Sequence, residues 1–271
     1  MDRRPIGVFD SGLGGLTAVR ELMRLLPGED IVYFGDTGRV PYGSRSRDTI
    51  IKYARQDVAF LRTFDLKAIV IACGTVSTTA LDTLARENPI PIIGVVDPAV
   101  HEAAESTRNH RVGLIGTQAT IRTKAYEKQL AALQPDAQVT ALACPLLVPL
   151  VENGRFTPGD SVVETVAGEY LAPIKAAGVD TLVLGCTHYP LLTDVIRAYM
   201  GENVVLVNSG AACARQVARM LAETDALSDC TEGGTRRYFV SDRVEGFSDL
   251  ASIFLGEDVH GDVEQVDITK Y

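Results

Sequence analysis

Two cysteines close apolar runs, and the residues beside them are polar. The run 181–185 ends on Cys186, with Thr187 and His188 following at once; the run 68–72 ends on Cys73, with Thr75 two residues on. Ligands of open α/β sheets bind beyond the carboxyl ends of the strands, which is where both thiols fall. A helical pattern follows each. Thr75, Ser77 and Thr78 are candidate caps before ALDTLARE, and Thr187 with Pro190 suits the entry to LLTDVIRAYM. A thiolate at a helix N-terminus gains roughly 0.3–1 kcal/mol from the dipole. That brings an ordinary thiol, near ~8.5, toward neutrality, where it can accept or give a proton. Two such thiols facing each other across a cleft can act on one carbon. One removes a proton from one face and the other returns a proton to the opposite face, which inverts the stereocentre without a metal or a covalent intermediate. A lone free cysteine usually just packs. Cys144, Cys213 and Cys230 have no polar constellation around them in the sequence and keep that reading.

The elements that must position the two thiols alternate strand and helix. Short apolar or β-branched runs at 6–9, 31–34, 68–72, 92–96, 112–115, 139–142, 181–185 and 204–207 read as strands. Helical patterns at 16–26, 48–64, 76–87, 119–133, 161–177 and 190–199 lie between them. This alternation predicts an α/β fold with mostly parallel sheets flanked by helices. Near the C-terminus, 236–242 reads as an edge strand and FSDLASIFL as a last helix, and the acidic tail after Gly256 reads as solvated. Three pairs of segments recur in the same order: IGVFDS with VGLIGT, AIVIACGT with TLVLGCTH, and PIIGVVDPA with NVVLVNSGA. Ordered self-similarity of this kind predicts two alike lobes with the site in the cleft between them. The crossings fall near Asp97-Pro98 and at 208–210, so lobe one comprises 1–97 plus 209–271 and lobe two 98–208.

The totals narrow the function classes. The chain has 271 residues, 46% of them hydrophobic, and 26 Lys plus Arg against 35 Asp plus Glu, a net charge of −9. That balance repels nucleic acid and anionic lipid, and neither a nucleic-acid nor a membrane partner is expected. No apolar run approaches the ~18 residues of a membrane span, and MDRRPIGVFDSG lacks a signal-peptide core. Five cysteines with no C-x-x-C pair argue for a reducing cytoplasm rather than a disulfide framework or a zinc ribbon. DSGLGGL is not a dinucleotide fingerprint, because the sixth position counted from Gly12 is Thr17. No Gly-Lys-Ser/Thr of a phosphate loop occurs, and Cys186 with His188 finds no further metal ligand at plausible spacing.

Four blocks, IGVFDSGLGGLTAVREL, YFGDTGRVPYGSRS, IVIACGTVST and LVLGCTHYPLL, span residues 6 to 192. Together they resemble the glutamate racemases, the enzymes of the aspartate/glutamate racemase superfamily that work without pyridoxal phosphate. The resemblance implies cofactor-free interconversion of L- and D-glutamate, with D-glutamate destined for peptidoglycan, in a cytoplasmic homodimer. It implies that Cys73 acts on the D-isomer and Cys186 on the L-isomer. Asp10 and His188 would be the polar partners of the first and second thiol, and Glu152 an auxiliary acid. Asp10, Ser11, Tyr42, Gly43, Thr75, Thr187 and His188 match substrate contacts. The residue types agree with such a role: Ser11, Thr75, Thr117 and Thr187 offer hydroxyls and nearby N–H groups to carboxylates. One departure stands out. The family pattern after the first cysteine is commonly Cys-Asn-Thr, and here it is Cys73-Gly74-Thr75; the Gly74 N–H remains as a donor. Two other readings stay open: a racemase of aspartate or another acidic amino acid, and a binding or regulatory protein on a weakened racemase scaffold.

Overall fold

The computed structural model describes residues 1–245, 247–257, 259 and 263–271. Among the described residues, ten strands form two sheets. β1 (Ile6–Asp10), β2 (Ile31–Gly35), β3 (Ala68–Ile71), β4 (Ile92–Gly94), β9 (Arg236–Val240) and β10 (Val263–Gln265) make one, in the order β10-β9-β2-β1-β3-β4. β5 (Arg111–Gly116), β6 (Gln138–Ala143), β7 (Thr181–Leu184) and β8 (Val205–Asn208) make the other, in the order β6-β5-β7-β8. Every strand pair is parallel. Helices cover both faces, so β1, β2, β3 and β7 are buried along their whole length and read as unbroken apolar runs.

The repeat seen in the sequence is a repeat of topology. The order β2-β1-β3-β4 in one sheet corresponds to β6-β5-β7-β8 in the other. The three recurring pairs lie on β1 and β5, on β3 and β7, and on β4 and β8. Cys73 and Cys186 thus follow corresponding strands, and Ser11 and Thr117 follow another corresponding pair. The two lobes are tied by helices that leave one sheet and pack on the other. The helix Val96–Ser106, which follows β4, packs against β7, β8 and the helix Ala125–Leu133. The helix Ser209–Glu223, which follows β8, packs on Leu16–Leu25 and on Val96–Ser106. Asn208 caps that last helix through the N–H groups of Gly210 and Ala211, and Ser46 and Asp160 cap Arg47–Leu61 and Ser161–Ala176 in the same manner.

All eight expected strands are present, with several differences around them. The fourth stops at Gly94, and Val96 is already helical. The helix expected over 76–87 is two helices, Gly74–Thr79 and Leu81–Glu87, parted at Ala80. That expected over 119–133 is broken at Lys124, whose left-handed backbone (φ 54°) ends Gln118–Thr123. The pattern over 190–199 opens as a 3₁₀ turn, Tyr189–Leu192, and becomes α-helical at Thr193. Three helices escaped the sequence reading: Val96–Ser106, Leu147–Glu152 and Ser209–Glu223. The strand at 236–240 is not an edge. It lies between β2 and β10, because the tail returns to pair with the sheet. Ile268 is buried, and the Tyr271 ring packs edge-on against Phe60 at 5.4 Å. Among the described residues, no helix is long and apolar enough to cross a membrane.

Candidate active site

The carboxyl ends of β1, β3, β5 and β7 converge on one cavity of about 350 Å³. Cys73, Gly74, Thr75 and Ser11 reach it from the first sheet, and Thr117, Cys186, Thr187 and His188 from the second. Tyr42 and Gly43 form one wall and Glu152 another. The two thiols, 113 positions apart in the sequence, therefore line the same space.

Cys73 is the N-cap residue of Gly74–Thr79, and its sulfur lies 3.3 Å from Ser11 Oγ. Burial pushes its pKa up to about 12, and the neighbouring Asp10 charge adds to the rise; the bond to Ser11 opposes it. This reverses the sequence expectation of a thiol drawn toward neutrality. Removing a charge from water outweighs the end of a six-residue helix. Asp10 stands behind Cys73 rather than on the cavity wall, and is almost wholly buried. Its Oδ2 accepts from the N–H groups of Gly15 (2.9 Å) and Gly12 (3.3 Å), while its Oδ1 has no hydrogen-bond partner among the described residues. Burial raises the Asp10 pKa, against the pull of the His188 charge. Gly15 is required here, since a Cβ would lie 2.5 Å from the Asp10 Cβ.

Cys186 sits before a 3₁₀ turn, Tyr189–Leu192, rather than before an α-helix. Its polar partner is His188. Nδ1 lies 3.8 Å from the Cys186 sulfur and Nε2 lies 3.0 Å from Glu152 Oε1. Burial alone would pull the His188 pKa down. The contacts with Cys186 and Glu152 outweigh it, and the pKa is raised to about 10. The imidazole also stands edge-on to the Phe254 ring at 5.3 Å.

Hydroxyls join the lobes at the cavity. Thr75 Oγ1 lies 2.9 Å from Thr117 Oγ1, which lies 3.0 Å from Thr120 Oγ1, and Thr17 donates to the Thr187 carbonyl at 2.8 Å. Thr75, Ser77 and Thr78 do not cap Leu81–Glu87, whose N-cap residue Ala80 makes no side-chain bond, whereas Thr117 caps Gln118–Thr123 by accepting from the Thr120 N–H. The glycine at 74 has a steric reason: a Cβ there would lie 2.4 Å from the Gly185 carbonyl oxygen. The backbone of this chain brings the two thiol-bearing loops closer than any side chain at 74 would allow.

Every residue expected at the site lines the cavity except Asp10, one layer behind it. The sequence reading missed the wall between Cys144 and Pro149. Cys144 touches the cavity, although its thiol is turned to the Leu142 carbonyl (3.7 Å), and burial pushes its pKa up to about 12. Only the two prolines flanking the apolar LLV in CPLLVPLVENG signalled a wall there rather than another strand.

Two parallel sheets with one thiol each at a shared cleft define a class, and comparison with known proteins agrees. Residues 15–217 match the Asp/Glu/hydantoin racemase family. The chain is 47% identical over 268 residues to the glutamate racemase of Geobacter metallireducens, covering 99% of this chain and 98% of that one. A crystal structure of Francisella tularensis glutamate racemase in complex with D-glutamate superposes with a TM-score of 0.92 at 38% identity over the full length of both chains. One of a Bacillus anthracis glutamate racemase gives 0.94 at 37%, over 98% of each. The chain belongs to the Asp/Glu/hydantoin racemase family and, within it, to the glutamate racemases.

Proposed function

We propose that this protein interconverts L- and D-glutamate by two-base proton transfer between Cys73 and Cys186. The observation that carries the reading is the pair of thiols, one from each sheet, lining one cavity. The Cys73 thiolate takes the α-proton of D-glutamate, and the Cys186 thiol delivers its own proton to the opposite face of the carbanionic carbon. The reverse sequence converts the L-isomer. Asp10 beside Cys73 and His188 beside Cys186 hold and return protons to the sulfurs. Ser11, Thr75, Thr117 and Thr187 orient the carboxylates, and the Gly43 and Gly74 backbone lies within reach of the same space. The reading extends to a cytoplasmic homodimer that supplies D-glutamate for peptidoglycan, and to lobe limits of 1–97 with 209–271 and 98–208, which fit the exchanged packing of the crossing helices.

The test is proton NMR of L- and, separately, D-glutamate with metal-free, pyridoxal-free protein in deuterated water, with circular dichroism in parallel. Loss of the α-proton signal together with optical activity is expected from either isomer. A folded protein that exchanges neither isomer, or that turns over aspartate in preference, would overturn the assignment.

A further inference from the structure

The wall formed by residues 40–44 is held from beneath by a cluster that does not reach the cavity. Asp36 and Asp57 are both fully buried, and they share one guanidinium. Arg39 donates from Nε to Asp36 Oδ2 (2.6 Å), from Nη2 to Asp57 Oδ1 (2.9 Å) and from Nη1 to Gln56 Oε1 (2.6 Å). Its guanidinium lies over the Tyr53 ring, 4.2 Å from the centroid. The Tyr42 hydroxyl points away from the cavity that its residue lines, donating to Asp36 Oδ2 and reaching Asp57 Oδ2 at 3.2 Å. Ser241 completes the cluster, donating to Asp36 Oδ1 at 2.7 Å and accepting from the Gly38 N–H at 2.8 Å. On its far side the loop meets the other lobe: a Cβ at Gly43 would stand 3.1 Å from the Thr117 Cβ.

We propose that Asp57, on the helix Arg47–Leu61 and outside the cavity, is a positioning residue for the substrate-facing loop, acting through Tyr42 and Arg39. On the cavity side Gly43 packs against Thr117 of the other lobe, and from beneath the loop is gripped through its buried half. That grip consists of a phenol and a guanidinium, and both reach Asp57. Two buried carboxylates face one cation, and a buried unpaired charge is costly; the cluster is neutral when one carboxyl keeps a proton. Burial, with the Asp36 charge beside it, raises the Asp57 pKa well above the usual carboxylate range, against the pull of Arg39. In the proposal Asp57 is the carboxyl that keeps the proton and acts as a neutral, two-sided hydrogen-bonding group.

The proposal rests on the racemase reading for its kinetic consequence but not for its structural one, and the experiment separates them. Asp57→Ala, Asp57→Asn and Tyr42→Phe are compared with the wild type by backbone amide hydrogen exchange over residues 37–44 and by KM and kcat for both glutamate isomers. Losing a buried hydrogen-bond partner corresponds to roughly tenfold, so Asp57→Ala is expected to speed amide exchange in 37–44 and raise KM for both isomers by about that factor, with kcat changed by less than about threefold. Asp57→Asn matches the neutral acid in size and bonding, and is expected to restore KM to within about twofold of wild type. Tyr42→Phe keeps the ring and loses the grip, so its KM rises as in Asp57→Ala; it decides the matter if Asp57→Ala fails to fold. Unchanged exchange and KM in the folded variants would overturn the proposal, as would a lost kcat with KM intact. If the wild type exchanges no α-proton, the racemase reading fails, and the amide-exchange comparison still tests the loop.

Discussion

Glu152→Gln separates a residue that tunes the second thiol's partner from one that moves the proton itself. The substitution keeps the size of the side chain and one hydrogen bond to His188, and removes the charge. The carboxylate lies 3.0 Å from His188 Nε2, but its side chain is 40% exposed while that of His188 is 9% exposed. A pair with one member in water is worth about 0.5–1 kcal/mol, not the several of a fully buried pair. One pKa unit corresponds to 1.36 kcal/mol. The His188 pKa, raised to about 10, is thus expected to fall by roughly half a unit. The same energy taken from the transition state slows turnover by about two- to fivefold. Mirror-image substrates have an equilibrium constant of unity, so kcat/KM must fall equally in both directions. The assay is an NMR titration of the His188 ring proton in both proteins, with initial rates from each isomer. An unmoved midpoint would remove Glu152 as a cause of the shift. A loss of two orders of magnitude would make Glu152 a proton carrier and refute the reasoning from exposure.

Cys73→Ser and Cys186→Ser should each lower racemisation by at least about a hundredfold; the first should still wash deuterium into L-glutamate only and the second into D-glutamate only, read by NMR in deuterated water. Full racemisation by both variants would end the two-thiol assignment. Gly74→Ala must push the Gly185 carbonyl back by at least about 0.6 Å, since its Cβ would start 2.4 Å away and real contacts begin near 3.0 Å. Misplacement on that scale should lower kcat by about ten- to a hundredfold, and steady-state kinetics with an unchanged melting temperature would check it. His188, raised to about 10 in the folded chain from an ordinary 6.5, contributes stability that is complete below about pH 6.5 and is lost as pH rises through about 10. The melting-temperature gap between wild type and His188→Asn should therefore shrink over that window, and a constant gap would show that the charge is not what stabilises.

The sequence made the frame legible because parallel strands buried on both faces leave unmistakable apolar runs, and because a duplicated topology repeats its strand-end residues. Cys73 and Cys186 could be placed together on that basis. β10 could not, since three residues in an acidic tail carry no period and gain their strand state only by pairing with β9. The wall near Cys144 was hidden for a related reason: Leu147–Glu152 is six residues long, too short to show a helical period. Tyr42 could be placed at the cavity, but its hydroxyl turns to Asp57, fifteen positions on and one helix away. Such a partnership is set by packing, and no local pattern announces it.

The charge state of the first thiol shows where local reasoning fails physically. A helix end offers a thiolate roughly 0.3–1 kcal/mol, and that was all the residues around Cys73 could reveal. The fold buries the sulfur against the Asp10 carboxyl, and both effects raise its pKa, to about 12. For the proposed reaction this direction has a use. Hydrogen on the α-carbon of an amino acid is a very weak acid, and a thiolate of high pKa is a stronger base toward it than one tuned to neutrality. What the burial withholds is population, since few thiols are ionised at pH 7. The substrate carries the remedy: an ammonium brought within about 4–6 Å of a buried acid lowers its pKa by one to three units. In the proposed mechanism Asp10, also raised by burial and with one oxygen unpartnered among the described residues, would take the thiol proton as that happens. A thiol held protonated until a cation arrives is protected from stray chemistry and basic when the carbon acid is in place.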